Sequence, residues 1–368
     1  MQKGKNLGDL AAEIERQHKS KRDYVAPTTA IAVKAEPVPG ALPKVLLDLL
    51  DTGRFGINPI AHGQIQEHVG IPKSYYDRML AEDPELLAHN VNTWFQRKPA
   101  GRMIRTLDGN ARAFLSNVFR PLDNYDFASA ILPVLADKNL EVMSCDITER
   151  RLYIKAVDTK LFRDVPVGYK MGDGSHRIFD TCAPAFIASN SEVGYGRLTL
   201  DTGVYTRACT NLALFSDGGM KRTHVGARHK MTEHVENIDA LLSERTKQKT
   251  DEALWMQVRD VLAAAFDGAR LAKRVEQLSA ASENRITGKV TKVVEVAAER
   301  FSLNEAEKEN VLKHLIEGGS LSQYGLHAAV TRSAQDASSY DRATELEYLG
   351  GRIVELPRTE WESLAAAA

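Results

Sequence analysis

The hydrophobic and polar positions near the start of the chain predict a helix followed by a linker. Apolar residues recur there at helical spacing between charged ones; they are Leu7, Leu10, Ala11 and Ile14. This spacing predicts an amphipathic helix within residues 1–25. Four prolines and one glycine then fall between residues 26 and 44, a composition typical of a linker.

From residue 44 to 95 the apolar pattern again favours helices. Residues 61–80 predict two consecutive helices, with Gly70 at the turn and Pro72 in the first turn of the second helix. A DNA-binding helix-turn-helix is the alternative for this pair. A plain helical hairpin is favoured, because Lys73 and Arg78 give the second helix only a modest positive charge.

The middle of the chain changes to strand-like alternation. Asp108-Gly109, between two apolar runs, predicts a β-hairpin with Arg112 and Phe114 on one face. A helix over 124–136, a strand pair over 140–160 and extended segments over 176–215 follow. The expected fold class is therefore α+β, with a largely antiparallel sheet, flanking helices, a helical N-terminal unit and a helical C-terminal region.

After His229 the helical period returns, and GGRIVEL near the end is predicted as a final strand. The expected organisation has four parts. They are an N-terminal arm and linker (1–43), a helical unit (44–95), an α+β core with a basic excess (96–230) and a mostly helical acidic region (231–368).

Charge separates these parts although the whole chain is almost neutral, with a net charge of -1. Residues 231–368 hold 17 Lys and Arg against 23 Asp and Glu, and residues 1–230 hold 31 against 26. A basic body of this kind attracts phosphates, and the acidic region is free to oppose that attraction or to pair with a neighbouring subunit.

The composition favours a protein of the cytoplasm. No apolar run approaches the roughly 20 residues that span a bilayer, and the polar N-terminus does not resemble a secretory signal. The three cysteines, Cys145, Cys182 and Cys209, stand far apart, so we expect them to be reduced and without metal.

Motifs for enzymatic chemistry are scarce. The chain lacks the Walker A loop, GxSxG, HExxH and the EF-hand pattern, and no cofactor is predicted. His224, His229 and His234 recur every five residues, which does not suit metal ligands on one helix face; contact with phosphates or bases is favoured for them. Asp123, Asp126 and Asp201 leave a metal-dependent nuclease open as an alternative.

The most informative pattern is the interleaving of basic and aromatic residues. Single strands are bound in this way, because cations follow the phosphates and rings stack on the bases. The predicted nucleic-acid-binding residues are Arg97, Lys98, Arg102, Arg105, Arg112, Arg120, Phe119, Tyr125, Tyr153, Lys221, Arg222, Arg228 and Lys230. Removing three of these arginines is expected to weaken binding with little loss of stability, since exposed charges contribute under about 1 kcal/mol each.

Several segments also carry a family resemblance, over about residues 55–356. They are IPKSYYDRML, NVNTWF, IRTLDGNARAFLSNVFRPLDNYDF, VYTRACTNLALF, THVGARH and LSQYGLHAAVTRSAQDASSYDRATELEYLGGRIVEL. With these the chain resembles the phage- and plasmid-related proteins grouped under a domain of unknown function. The resemblance implies a role in DNA metabolism or host takeover on mobile elements, and it brings no catalytic motif.

The resulting hypothesis is a homo-oligomeric protein that binds or anneals single-stranded DNA in recombination or replication. A structural or host-interaction protein without nucleic-acid chemistry is the second hypothesis, and the nuclease is the third. No membrane partner is expected.

Overall fold

The computed structural model describes residues 4–50, 52–170, 176–207, 211–224, 243–266 and 268–368. The helices of these residues are α1 Leu7–Ser20, α2 Pro59–Val69, α3 Lys73–Glu82, α4 Pro84–Arg97, α5 Asn124–Asp137, α6 Glu244–Ala264, α7 Gly268–Glu283, α8 Val290–Phe301, α9 Glu305–Gly318, α10 Gln323–Ser333, α11 Tyr340–Val354 and α12 Arg358–Ala365. The strands are β1 Arg22–Pro27, β2 Ile31–Val38, β3 Ala41–Leu49, β4 Gly53–Ile57, β5 Gly101–Leu107, β6 Asn110–Ser116, β7 Glu141–Ile147, β8 Leu152–Val157, β9 Arg163–Lys170, β10 His176–Asn190, β11 Leu198–Thr206 and β12 Asn211–Arg222. The fold class is α+β, as the sequence predicts.

The first sheet has six strands in the order β1-β5-β6-β4-β3-β2, antiparallel except where β4 meets β6. Its predicted hairpin is confirmed: β5 and β6 are joined at Asp108 and Gly109, whose φ angles of 50° and 76° are those of a type I′ turn. Helices α2 and α4 cover one face, where Ile104 and Phe114 pack against Ile65 and Val91.

The prediction for residues 26–57 was wrong, because they form β2, β3 and β4 of this sheet rather than a linker and a helix. Val45 to Leu49 are buried without interruption, and a continuous apolar run does not distinguish a buried strand from a helix. The edge strand β2 accommodates Pro37, where the register with β3 shifts. The helices predicted from residue 44 begin only at Pro59.

The second sheet is antiparallel, in the order β12-β11-β10-β8-β7, and β9 pairs with the first part of β10. Helices lie on both of its faces. Residues of α1, α5 and α6 pack with Ile154 and Phe186 on one side. Leu271 and Leu278 of α7 pack in a cluster with Phe215, which the strand register places on this same side. Tyr340 of α11 packs with Leu214 on the other side.

The described C-terminal region, from residue 243 on, is helical, in agreement with the sequence. The strand predicted for GGRIVEL was wrong, since this segment lies in α11. Its glycines allow close packing instead: a Cβ at Gly351 would overlap the Leu214 carbonyl, and one at Gly350 would overlap Thr331. Among the described residues, no helix has the length and apolar character needed to cross a lipid bilayer.

Candidate nucleic-acid interface

The arginine-rich stretch between residues 97 and 120 does not form one open groove. Arg105 is fully buried and donates to both carboxylate oxygens of Asp23, at 2.9 and 3.0 Å, and to Asp123 at 2.7 Å. Its remaining terminal nitrogen donates to the Glu192 carbonyl at 3.0 Å. Although burial favours the neutral acid, the charges of Arg105 and Lys21 hold the pKa of Asp123 well below its usual range.

Arg102, Arg112 and Arg120 also have partners within the chain. Arg112 forms an ion pair with Glu192 at 2.9 Å. It is the extra residue of a β-bulge between β5 and β6, so it departs from the predicted alternation with Phe114. Arg102 contacts the His68 ring and lies 5.4 Å from the centroid of the Phe114 ring, and Arg120 pairs with Asp251 at 2.6 Å.

Arg97 and Lys98 are exposed at the end of α4, where both lie over the Trp94 ring. They remain at the surface, and among the described residues neither forms an ion pair with an acid. On β5 and β6, by contrast, both faces are covered, and the buried Arg105 and Arg112 are each paired with an acid of the chain.

The predicted aromatic residues lie on separate surfaces. Phe119 is buried and stacks on His224, with 5.1 Å between ring centroids. Tyr125 is exposed and stacks on His18 at 4.2 Å. Tyr153 is buried, and its hydroxyl donates to Asp341 at 2.7 Å. Phe119 and Tyr153 therefore have a structural role in the protein interior that requires no ligand.

A different basic surface forms at one edge of the second sheet, where β8 and β11 begin and β10 and β12 end. The pairing register aligns Leu152 of β8, Asn190 of β10, Leu198 of β11 and Arg222 of β12 in one row across the sheet. The loops beyond this row therefore meet at the same edge. Their basic residues, which we call the basic end, are Arg150, Arg151, Arg197, Lys221 and Arg222.

The basic end carries five cations against two acids in the loops 148–151, 191–197 and 221–224. One of these acids, Glu192, is buried in its ion pair with Arg112. The side chains of Arg150, Arg197, Lys221 and Arg222 are exposed. These segments therefore carry a local excess of positive charge, and Asp251 and Asp341 of the C-terminal region lie beside them.

Local hydrogen bonds fix the turn that presents Arg150 and Arg151. Their backbone N–H groups donate to the Thr148 hydroxyl at 3.1 and 3.0 Å, a turn that threonine favours. The Arg151 guanidinium donates to Ser189 Oγ at 2.9 Å and to the Arg197 carbonyl at 3.0 Å. Arg151 therefore braces the neighbouring loop, while Arg150 lies 5.1 Å from the ring centroid of the exposed Tyr195.

Helix α6 lies beside β12 and contributes an acid to this surface. Arg120 donates to the Lys247 carbonyl and to Asp251 of α6, and Asp251 also lies in the electrostatic field of Arg222. This contact joins the basic body to the acidic region within one chain. Arg228 and Lys230, and likewise His229, His234 and Cys209, lie outside the described residues.

The structure thus brings together Arg120, Lys221 and Arg222 from the predicted set, and it adds Arg150, Arg151, Arg197 and Tyr195. The added residues follow from strand register, which local composition does not specify. The interleaving of Arg150 with Tyr153 was visible in the sequence, but the ring that accompanies Arg150 is Tyr195, 45 positions later.

Burial and the nearby charge of Asp123 raise the pKa of Asp126, so these two of the acids proposed for a nuclease lie near each other. Asp123 belongs to the Arg105 ion pairs, and Asp201 accepts a hydrogen bond from Tyr348 at 2.8 Å. The described residues contain no group of three or more His, Cys, Asp or Glu side chains arranged to hold a metal ion. Cys145 and Cys182 are free, buried thiols, and burial raises the pKa of each, to about 11 and about 12.

Comparison with known proteins gives no matching family model, no matching curated protein and no matching solved structure. The resemblance to the phage- and plasmid-related family stays a prediction.

Proposed function

We propose that this protein binds single-stranded nucleic acid at the basic end of the second sheet. The observation that carries the proposal is the alignment of four strand ends, which places five cations from two loops and the end of β12 beside an exposed tyrosine. Cations along a surface hold the phosphate backbone, and an exposed ring offers a stacking platform for a base. Binding of this kind needs no covalent chemistry.

The bracing of the loops supports the same function. Ser191 Oγ donates to the Arg150 carbonyl at 2.8 Å and accepts from the Tyr195 N–H at 3.0 Å, so the two loops are tied together. A surface held in this way loses little conformational entropy when a strand binds. A preformed set of cations therefore contributes more of its electrostatic attraction to affinity.

The test replaces three exposed arginines, Arg150→Gln, Arg197→Gln and Arg222→Gln, in one variant. Fluorescence anisotropy with a labelled single-stranded oligonucleotide, at several salt concentrations, measures the affinity and its salt dependence. We expect weaker binding and a salt slope lower by about 2, since each lost phosphate contact on a single strand removes about 0.7. Duplex DNA and single-stranded RNA of the same sequence establish strand preference.

The matched control removes three exposed cations elsewhere: Lys292→Gln, Lys313→Gln and Arg358→Gln. Each of these is paired with an acid on its own helix in the C-terminal region. The control makes the same change in net charge, so it should retain the affinity and slope of the unmodified protein. Equal losses in both variants would show attraction by net charge alone, and they would overturn the proposed site.

A further inference from the structure

A cleft of about 430 Å³ lies next to the basic end. It is formed by helices α2 and α3, which pack against the first sheet, and by the loops that carry Arg150 and Tyr195. This volume falls in the range of small-ligand sites, which often lie at the junction of two structural units. Apolar side chains, Ile60 and Leu80 among them, form part of its walls.

The polar part of the cleft is a hydrogen-bonded pair. His62 Nδ1 lies 2.9 Å from the Tyr76 hydroxyl, and both residues line the cleft. Burial lowers the pKa of His62 to about 4 and raises the pKa of Tyr76, so both groups are neutral near pH 7. Tyr76 is fully buried, so His62 Nε2 is the atom of the pair left for a ligand; it is a donor in one tautomer and an acceptor in the other.

Tyr195 supplies a ring at the mouth of the same cleft. Its side chain is 41% exposed, its hydroxyl oxygen approaches Gly63 of α2, and the Arg150 guanidinium lies over it. A flat ligand that enters the cleft therefore meets a ring edge or face together with a guanidinium plane. Both surfaces stack on nucleobases.

The charges within the cleft balance. Lys73 and Arg150 are offset by Asp77 and Glu149, and Lys73 is paired with Asp77 at 2.5 Å. The cleft does not select a phosphate, whereas the adjoining basic end does. A neutral, planar group with its own donor and acceptor, attached to an anionic backbone that stays outside, matches both surfaces.

We propose that the cleft receives one unstacked base of the strand bound at the basic end. This inference rests on the proposed function, and it adds that the protein reads the strand by stacking and by the edge of a base as well as by its phosphates. Tyr195 is the residue whose ring contacts the base, and His62, held in place by Tyr76, faces its hydrogen-bonding edge.

The experiment compares an oligonucleotide with an abasic sugar-phosphate strand of the same length by anisotropy. We expect the strand with bases to bind at least about tenfold more tightly, the scale of one base–ring stack. Tyr195→Ala should reduce that ratio and leave the salt slope unchanged, and Tyr195→Phe should retain it. Tyr75→Ala is the control, because Tyr75 is equally exposed on α3 but does not line the cleft. A thermal melt of each variant confirms that it is folded.

The outcomes separate this inference from the proposed function. Equal binding of both strands, or a ratio that Tyr195→Ala leaves intact, overturns the base cleft and leaves backbone binding in place. Titration with a mononucleotide, deoxyadenosine monophosphate, adds a third arm. If it binds through Tyr195 while no strand binds, the proposed function is wrong; if nothing binds, both proposals are wrong.

Discussion

At the scale of single residues, burial decides what each charge does. Arg105 and Lys98 belong to the same basic stretch, yet Arg105 is buried among acids and Lys98 lies at the surface over Trp94. The partners of Arg105 come from residues 23, 123 and 192. Local composition predicted that Arg105 lines a nucleic-acid groove. Folding instead places it at the centre of a buried ion-pair cluster, because its partners are distant in the sequence.

Removing Arg105 should therefore destabilise the protein, in contrast to the expectation drawn from sequence. Arg105→Ala leaves Asp23 and Asp123 without their shared cation, which costs about 3–5 kcal/mol for a buried pair. Lys98→Ala should cost under about 1 kcal/mol, because its charge is exposed. Urea unfolding of both variants measures the difference. Similar losses in the two would contradict the structural role of Arg105.

At the scale of helices and strands, the elements with a strong local signal were predictable. The β5–β6 hairpin has Asp108-Gly109 at its turn, and β7 and β8 flank the predicted turn at Thr148. Strand β3 was missed because its apolar run is buried on both faces, so the pattern shows no period of two. Tertiary burial, which a local pattern does not contain, decided its conformation.

The turn itself gives a sharp test of this local signal. Gly109 has φ 76° and open space where a Cβ would lie, so Gly109→Ala is disfavoured by backbone conformation alone, at a cost of about 1–2 kcal/mol. Gly268 begins α7, has the same open space and lies outside the left-handed region. Gly268→Ala should be neutral or stabilise by up to about 1 kcal/mol. Thermal unfolding of both variants checks the opposite signs, and equal shifts would refute the turn assignment.

At the scale of the whole molecule, the acidic C-terminal region and the basic body meet within one chain. Asp251 pairs with Arg120, and Glu347 pairs with Lys155 at 2.6 Å in a fully buried site. The charge asymmetry was visible in the sequence. Whether the acidic region pairs with the basic body of its own chain or with that of another subunit was not, because both kinds of pairing use the same residues. Homo-oligomerisation stays a prediction. Identifying the basic end likewise required the register of four strands. Of its residues, the sequence pattern indicated only Lys221 and Arg222.

Buried histidines make the stability of the whole molecule depend on pH. Burial lowers the pKa of His62, His68, His224 and His327 to about 4 each, while in the unfolded chain the ordinary value is 6.5. Between pH 6.5 and 4 the unfolded state binds protons that the folded state does not, so the free energy of unfolding falls as the pH is lowered. Above pH 6.5 these histidines add no pH dependence.

His327 isolates one histidine's share of that effect. It is fully buried on α10, and its Nδ1 donates to the Gly350 carbonyl at 3.0 Å, which fixes the neutral tautomer. Its contribution within the window is about 1.4 kcal/mol per pH unit. His327→Asn removes the titrating group, so urea unfolding between pH 7.5 and 4.5 should show a shallower loss of stability, whatever the variant costs at pH 7.5. The carboxylates titrate in both proteins, so the difference between the two slopes isolates the contribution of His327. A slope identical to that of the unmodified protein would show that folding does not lower the pKa of His327.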